Sequence, residues 1–383
     1  MKFIHTADWH LGKLFYGQYL TSEQEWYLKH QFLPLLDEEK PDAVLLAGDV
    51  YDRSVPPAEA VDLFDWAISE IVGVRHIPFL VISGNHDSAE RLSFGSRLFE
   101  SSGLYMAGDL SRLAGPVFLS DEAGQVAFAP LPYIETAQVR TALSREDLRT
   151  HEEAEKALSE WMLAQIPEGM RRIAIAHDFV AAAGVTPVES DSERPLAIGG
   201  TEAVSADIFK PYHYTALGHL HGPQKAGSDH IRYSGSLLKY SFSEEHQKKG
   251  VIIGEIDREG QVSTRFETLS PRRDVRTIKG TLEELLCRED PAPEDFLQAD
   301  LMDESPRPNV MDRLRDRYPN MMAIRTHFHF REDDGDRKMA REKVGMLDMV
   351  QAFSEKFRDG RRLTDGEEDL LKAVMKEMGE NAL

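Results

Sequence analysis

A single cysteine, Cys287, in 383 residues excludes an intramolecular disulfide and any zinc site built from cysteine thiolates. That scarcity fits a reducing, cytoplasmic compartment. Long apolar runs are missing too, and nothing approaches the roughly 20 residues that cross a bilayer. The opening MKFIHTADWH turns polar within a few residues, unlike a secretory signal. Basic charge is also short. Forty-five Lys and Arg stand against 66 Asp and Glu, a formal charge of −21, which argues against a chain that coats nucleic acid through a broad basic face. It leaves room for an enzyme acting on nucleic acid, because bound divalent cations and local basic patches can neutralise phosphates. Repeats and low-complexity tracts are absent as well.

What is present begins with strand-length apolar runs: 2–7 (KFIHTA), 43–47 (AVLLA), 78–82 (PFLVI), 172–176 (RIAIA) and 214–217 (YTAL). Helical spacing separates the first three. One helix is expected over 21–39, with Trp26, Leu28, Phe32, Leu35 and Leu36 on its apolar face. Another is expected over 57–72, opened by Pro56 and Pro57 and facing inward through Val61, Phe64, Ile68 and Ile71. Alternating strand and helix predicts a layered α/β sheet architecture. After residue 230 the pattern turns β-like (IRYSGS, GVIIGEI, VSTRFETL), and PRRDVRTIKG at 271–280 reads as a domain boundary. Beyond it lie a short helix (TLEELL) and a β-like MAIRTHFHF. The tail carries two amphipathic stripes: Met346, Val350, Phe353 and Phe357, then Leu371, Val374, Met375 and Met378, the second opened by Thr364 and Glu367 at capping-box spacing. These could pack on the chain's own domain. Their terminal position, Met content and preceding charged REDDGDRK favour docking on a partner. A chain of this length exceeds a single core of about 250–300 residues, and the expected division is 1–270, 271–335 and 336–383.

Each strong apolar run ends in groups able to hold a metal: Asp8 and His10; Asp49 after Gly48; Asn85, His86 and Asp87 after Gly84; His177; and His219 and His221 after Gly218. In a layered α/β fold, five such carboxyl ends converge on one edge. The i, i+2 spacing of Asp8/His10 and His219/His221 lets both members of a pair face one way in extended backbone, and the three glycines are expected to allow tight turns. Imidazole, carboxylate and amide donors without thiolate suit Mn²⁺, Fe or Zn²⁺. Seven of these groups, Asp8, His10, Asp49, Asn85, His177, His219 and His221, are too many for one catalytic ion that keeps an open position, and they suit two ions bridged by a carboxylate, the arrangement that drives in-line attack on phosphorus. A binuclear metal-dependent phosphoesterase is therefore expected. Any one of these motifs alone reads as a turn or a helix cap; their joint occurrence at five strand ends does not.

The ordered series D-x-H, G-D, G-N-H-D, H and G-H-x-H, over residues 1–230, resembles the calcineurin-like metallophosphoesterases. The stretches FIHTADWHLGK, LLAGDVYDRSVPP, SDSERPLAIGG, LGHLHGPQ and YSGSLLKYSFSE narrow the resemblance, to about residue 270, to a branch of bacterial DNA nuclease subunits. The resemblance implies a layered metallophosphoesterase β-sandwich flanked by helices, with a small α+β capping domain and C-terminal helices that grip the coiled coil of an SbcC-like, Rad50-family ATPase. It implies two Mn²⁺ (or Mg²⁺ or another divalent ion), 3′–5′ exonuclease action on double strands, endonuclease action on single strands and hairpins, a homodimer within a heterotetramer, and work in DNA repair, recombination and replication. Carried over by position, Asp8, His10, Asp49 and His221 hold one ion, and Asp49, Asn85, His177 and His219 the other. His86 sits beside the scissile phosphate, with Asp87 orienting it. Archaeal and eukaryotic relatives place a histidine where this chain has Asp52, whose role stays open. Arg171–Arg172, Lys248–Lys249 and Arg272–Arg273 with Arg276 are candidate DNA contacts, against the alternative of ordinary solvated faces. Competing readings are a stand-alone phosphodiesterase or phosphatase, disfavoured by the cap and tail, and a non-catalytic scaffold, disfavoured by the full ligand set with His86.

Overall fold

Strands that read as unbroken apolar runs are buried on both faces, and here that burial comes from two stacked sheets with helices outside each. The computed structural model describes residues 1–110, 115–193, 203–303, 305, 307–326, 350–351, 353–355 and 362–377. They divide into a large unit, Met1–Phe328, and a small one, His329–Leu383.

In the large unit the first six-stranded sheet runs in the order Val262–Thr268, Gly250–Ile256, Lys2–Thr6, Ala43–Ala47, Phe79–Ile82, Leu104–Ala107. Its last four strands are parallel and its first two antiparallel. The second six-stranded sheet runs Gln224–Lys225, Ile231–Tyr233, Tyr214–Gly218, Arg171–His177, Gly124–Leu131, Val117–Asp121, parallel except at both edges. Phe3, Leu45, Leu80 and Ile82 of the first sheet face Phe128, Ile173, Ile175 and Tyr214 of the second. The alternate residues Ile4, Val44, Leu46 and Val81 face outward, under Tyr27, Phe32, Phe64 and Ile71, as the period of two requires. Ala127, Ala129, Ala174 and Ala176 meet Leu158, Met162 and Phe209 on the far side. Each fully buried Ile, Leu or Phe in these layers is worth roughly 1.5–3 kcal/mol of transfer free energy. The α/β sandwich expected from the strand pattern is the fold observed.

Three helices depart from expectation. The 21–39 segment is Thr21–Tyr27, a π-helical turn Leu28–Phe32, and Leu33–Glu39. The expected apolar face rests on a uniform 3.6-residue period, which a π turn interrupts; Tyr27 is fully buried, while Trp26 is only partly so. The second helix is Ala58–Ile68 followed by another π turn, Ser69–Val74. Its buried face is Ala60, Leu63, Phe64 and Ala67, and Val61 is exposed rather than inward. A helix over 90–101, expected with 57–72 as a candidate surface for dimerisation, does not form; Ala89–Leu92 and Ser96–Phe99 are single turns separated at Gly95, whose φ is +73°.

Past residue 271 a parallel three-stranded sheet, Val275–Gly280, Phe296–Leu301 and Met321–Thr326, packs with helices Leu282–Cys287 and Val310–Arg317. It has its own core of Ile278, Leu285, Leu297, Leu314 and Tyr318. Thr281 and Glu284 form a complete capping box on the first of these helices. Val275, Phe296 and Met322 join the core of the first sheet.

In the small unit, helix Asp365–Glu377 begins after Thr364, whose backbone N–H donates to Glu367 Oε2 at 2.9 Å, half of the expected capping box. Val350 and Leu371 are half-buried and Phe353 is exposed. Met346, Phe357, Val374, Met375 and Met378 of the two stripes lie outside the described side chains. No described helix is long and apolar enough to cross a membrane.

Candidate metal centre

The two sheets deliver their groups to the same edge. Asp8, His10, Asp49 and Asn85 follow strands of the first sheet, while His177 ends, and His219 and His221 follow, strands of the second. The expected extended geometry of Asp8 and His10 is not what forms. Asp8 (φ 51°), His10 (φ 44°) and Asp49 (φ 47°) are left-handed, and His219 has φ 103°. For a non-glycine residue that conformation costs about 1–2 kcal/mol, and it is held by ties between strand ends. Asp8 N–H donates to Gly48 O (3.1 Å), His10 N–H to Asp49 O (2.9 Å) and Leu11 N–H to Val50 O (2.9 Å). The Gln24 amide completes the brace, donating to Trp9 O and His10 O and accepting from Gly12 N–H.

Two of the three glycines serve close approach rather than turning. A Cβ on Gly218 would lie 1.7 Å from the Ala47 carbonyl oxygen, and one on Gly84 would lie 2.2 Å from Asp49 Oδ1. Neither has a left-handed φ; Gly48, at +83°, does.

Asp49 is the hub. Its Oδ2 lies 3.5 Å from both His10 Nε2 and His177 Nε2, and its Oδ1 accepts the His86 N–H at 2.9 Å. His10 Nε2 is 3.1 Å from His221 Nε2, and His177 Nε2 is 3.0 Å from Asn85 Oδ1. His177 Nδ1 is 2.9 Å from the Ala47 carbonyl, to which it must donate, so its Nε2 is directed at the centre. Asp8 Oδ1 accepts the His219 N–H, while Asp8 Oδ2 and His10 Nδ1 are buried without a hydrogen bond. Burial pushes the Asp8 carboxyl up to about 7. Burial opposes a charge on His177, yet the Asp49 and Asp8 carboxylates raise it to about 10. Burial drives His219 down to about 3 and His10 well below the ordinary imidazole range. Unpartnered oxygen and nitrogen donors around buried carboxylates call for positive charge, and this donor set fits divalent ions. Among the described residues, two groups of His and carboxylate side chains have ligand atoms mutually within 4.8 Å: His10, Asp49 and His86, and Asp8, Asp49 and His177. Both share Asp49. They differ from the sets implied by resemblance in that Asp8 falls beside His177 and His86 falls beside His10.

His86 is almost fully buried, and its Nδ1 is 2.8 Å from the Asp52 carbonyl. The resemblance has Asp87 orient that ring; its carboxylate instead accepts the N–H groups of Val50 (3.0 Å), Tyr51 (2.9 Å) and Gly84 (2.9 Å), pinning two strand-end loops together. The Asp52 carboxylate meets Lys13 Nζ at 2.8 Å. The basic patches are largely consumed by the fold. Arg171 is buried against Asp121, Lys249 is buried against Glu244, Arg272 and Arg273 both bind Glu23, and Arg276 binds Asp290 and Asp295. Sequence reasoning missed Gln24, Ser192, Glu193 and Glu244, which brace the centre. Ser192, Glu193 and Glu244 lie in SDSERPLAIGG and YSGSLLKYSFSE, stretches that carried the resemblance without a role.

The family model for calcineurin-like phosphoesterase matches residues 1–223, and that for the Type 5 capsule protein repressor C-terminal domain matches residues 271–360. Two relatives are SbcCD nuclease D subunits of staphylococci. That of Staphylococcus epidermidis is 36% identical over 326 residues, 85% of this chain and 85% of that protein. Its counterpart in Staphylococcus saprophyticus is 33% identical over 378 residues, 98% of each. Among solved structures, a dimetal phosphatase from Danio rerio aligns with 14% identity and a TM-score of 0.40, over 70% of this chain and 99% of that one, too distant to carry weight. With a family match over more than half its length and relatives a third identical across most or all of it, the chain belongs to the calcineurin-like phosphoesterases, in the family of the SbcCD nuclease D subunits, and is a metal-dependent phosphodiesterase.

Proposed function

We propose that this chain is a Mn²⁺-dependent DNA nuclease, a 3′–5′ exonuclease on double strands and an endonuclease on single strands and hairpins. It acts with an SbcC-like, Rad50-family ATPase in cytoplasmic DNA repair, recombination and replication. The observation that carries the reading is the shared carboxylate: Asp49 Oδ2 stands 3.5 Å from one imidazole of each half of the centre. Asp8, His10, Asp49 and His221 would hold one ion, and Asp49, Asn85, His177 and His219 the other. When bound, two divalent ions activate water and stabilise the oxygens of an in-line displacement at phosphorus.

The chain's own part is positioning and proton transfer. With Nδ1 turned to the Asp52 carbonyl, His86 keeps Nε2 on the Asp49 side, 3.9 Å from Oδ2, where as the imidazolium it can give its Nε2 proton to the departing deoxyribose oxygen. Asp87 keeps the two loops carrying Asp49 and His86 in register. Residues 271–335 form the capping and DNA-binding domain, a reading supported by the separate sheet and core past Val275. Residues 336–383 dock on the ATPase coiled coil. Exposed Val61, Phe94 and Leu98 support a homodimer through segment 57–72 or 90–101. The test is digestion of an end-labelled hairpin with Mn²⁺ against Mg²⁺, with and without the ATPase and ATP. Cleavage with Mn²⁺, lost on chelation and recovered on re-addition, is expected. Hydrolysis of a chromogenic diester with no cut in any DNA would overturn the reading.

A further inference from the structure

We propose that Glu244, acting through Ser192 and held by Lys249, is a positioning residue that sets His221 for metal binding and thereby decides the occupancy of one ion but not the other. The inference rests on the two-ion reading above. The His221 ring is 1% exposed. Its Nδ1 lies 2.7 Å from Ser192 Oγ and 3.3 Å from Glu244 Oε1, and Ser192 Oγ is itself in hydrogen-bond contact with that same oxygen. A carboxylate can only accept, so the serine donates to Glu244 and the imidazole Nδ1–H donates to the serine. This leaves the His221 lone pair on Nε2, the nitrogen 3.1 Å from His10 Nε2 at the centre. A ligating imidazole whose other nitrogen donates to a carboxylate network is fixed in tautomer and orientation and made a stronger base.

The cage is closed on every side. Lys249 Nζ binds Glu244 Oε2 at 2.6 Å, and the His221 carbonyl, Ser236 Oγ and Gln247 Oε1 at 2.8 Å each. Glu244 Oε2 also accepts the Tyr240 N–H, and Glu193 Oε1 accepts the His221 N–H at 2.6 Å. Burying an ammonium and a carboxylate carries a heavy desolvation penalty and seldom adds net stability over an apolar pair. A fully buried Glu–Lys pair aimed at one ligand is accounted for by the ligand it aims. Three separated segments, around 192, 221 and 244–249, meet here, so the loop bearing Ser192 and Glu193 is coupled to the state of this half of the centre.

The experiment is calorimetric titration of Mn²⁺ into the full-length, chelator-stripped protein, with melting temperatures taken in chelator and in saturating Mn²⁺. The unaltered protein is expected to bind two ions; fewer than two overturns the underlying reading before any variant is compared. Glu244→Gln keeps the shape and removes the charge, and should weaken one ion by about 10–100-fold while leaving the other unchanged. His221→Ala should lose that same ion. Ser192→Ala should weaken it less, and Ser192→Thr should restore it. Two ions bound with unaltered affinity in both Glu244→Gln and Ser192→Ala overturns the inference, as does equal weakening of both ions with a matching drop in the chelated melting temperature. If Glu244→Gln does not fold in chelator, Ser192→Ala, which deletes one hydroxyl, decides by the same criteria.

Discussion

His177 and His221 reach one centre from the same sheet, but by different means. His177 closes a strand, and its Nδ1 is set by the Ala47 carbonyl of the facing sheet. His221 lies three residues beyond its strand, and its Nδ1 is set by side chains, Ser192 and Glu244. Burial opposes ionisation of Glu244, yet Lys249 and His221 hold its carboxyl well below the usual range. A main-chain carbonyl fixed by sheet pairing survives any side-chain substitution at its own position. A charged cage can be dismantled one group at a time. One half of the centre is thus built into the fold, and the other is adjustable.

The largest expected effect removes what the halves share. Asp49→Ala should abolish binding of both ions by calorimetry, and nuclease turnover with it. Next, His86→Ala should keep both ions but lower turnover on a labelled hairpin by about 10²–10⁴-fold, the worth of a proton donor; loss of an ion in that variant would make His86 a ligand. The built-in half yields only to a backbone change. Gly218→Ala drives a methyl into the Ala47 carbonyl that holds His177, and should destabilise the protein by about 3 kcal/mol in urea titrations run with chelator.

Asp121→Asn is a control outside both halves. Arg171 grips Asp121 through two hydrogen bonds, 2.9 and 2.6 Å, and holds its carboxyl well below the ordinary carboxylate range. A depressed carboxyl stabilises the fold above its unfolded pKa of about 3.9 and loses that contribution as pH falls towards the folded value. The variant should melt lower at pH 7, by about 2 kcal/mol, with the gap closing below about pH 4 and metal affinity unchanged at neutral pH. Smallest is Thr281→Ala, which removes the cap of helix Leu282–Cys287 and should cost about 1 kcal/mol without altering metal binding.

The residue types of the centre are readable in the sequence because each sits at, or within four residues of, the end of a strand buried on both faces, where a polar residue needs a reason. Their backbone is not. Left-handed φ at Asp8, His10 and Asp49 follows from hydrogen bonds between strand ends distant in sequence. Strands Val117–Asp121 and Gly124–Leu131 leave little trace because one is half-exposed at the sheet edge and the other interrupts its buried apolar residues with Ala127, Ala129 and Pro130. Ser192 and Glu244 read as ordinary polar loop residues, and of the pair Lys248–Lys249 only Lys248 is exposed; burial of one lysine beside a solvated one leaves no local signature. Val61 defeats the helical pattern because two faces of a short helix both carry apolar residues, and packing, not period, chooses between them.

The hydrogen bond from His219 N–H to Asp8 Oδ1 joins residues 211 apart in the chain. During synthesis, therefore, this tie cannot form until the second sheet has emerged. A nascent chain shows Asp8, His10, Asp49 and Asn85 long before the strand that brings His219 and His221 exists, and the Lys249 brace emerges later still. Loop closure over such separations is slow, which sets this centre apart from small zinc domains whose ligands lie close together in the chain. A truncation between His221 and Lys249 should yield a chain with all seven expected ligands but without the Lys249 brace or the strand Gly250–Ile256 that pairs with Lys2–Thr6, and so without an intact site.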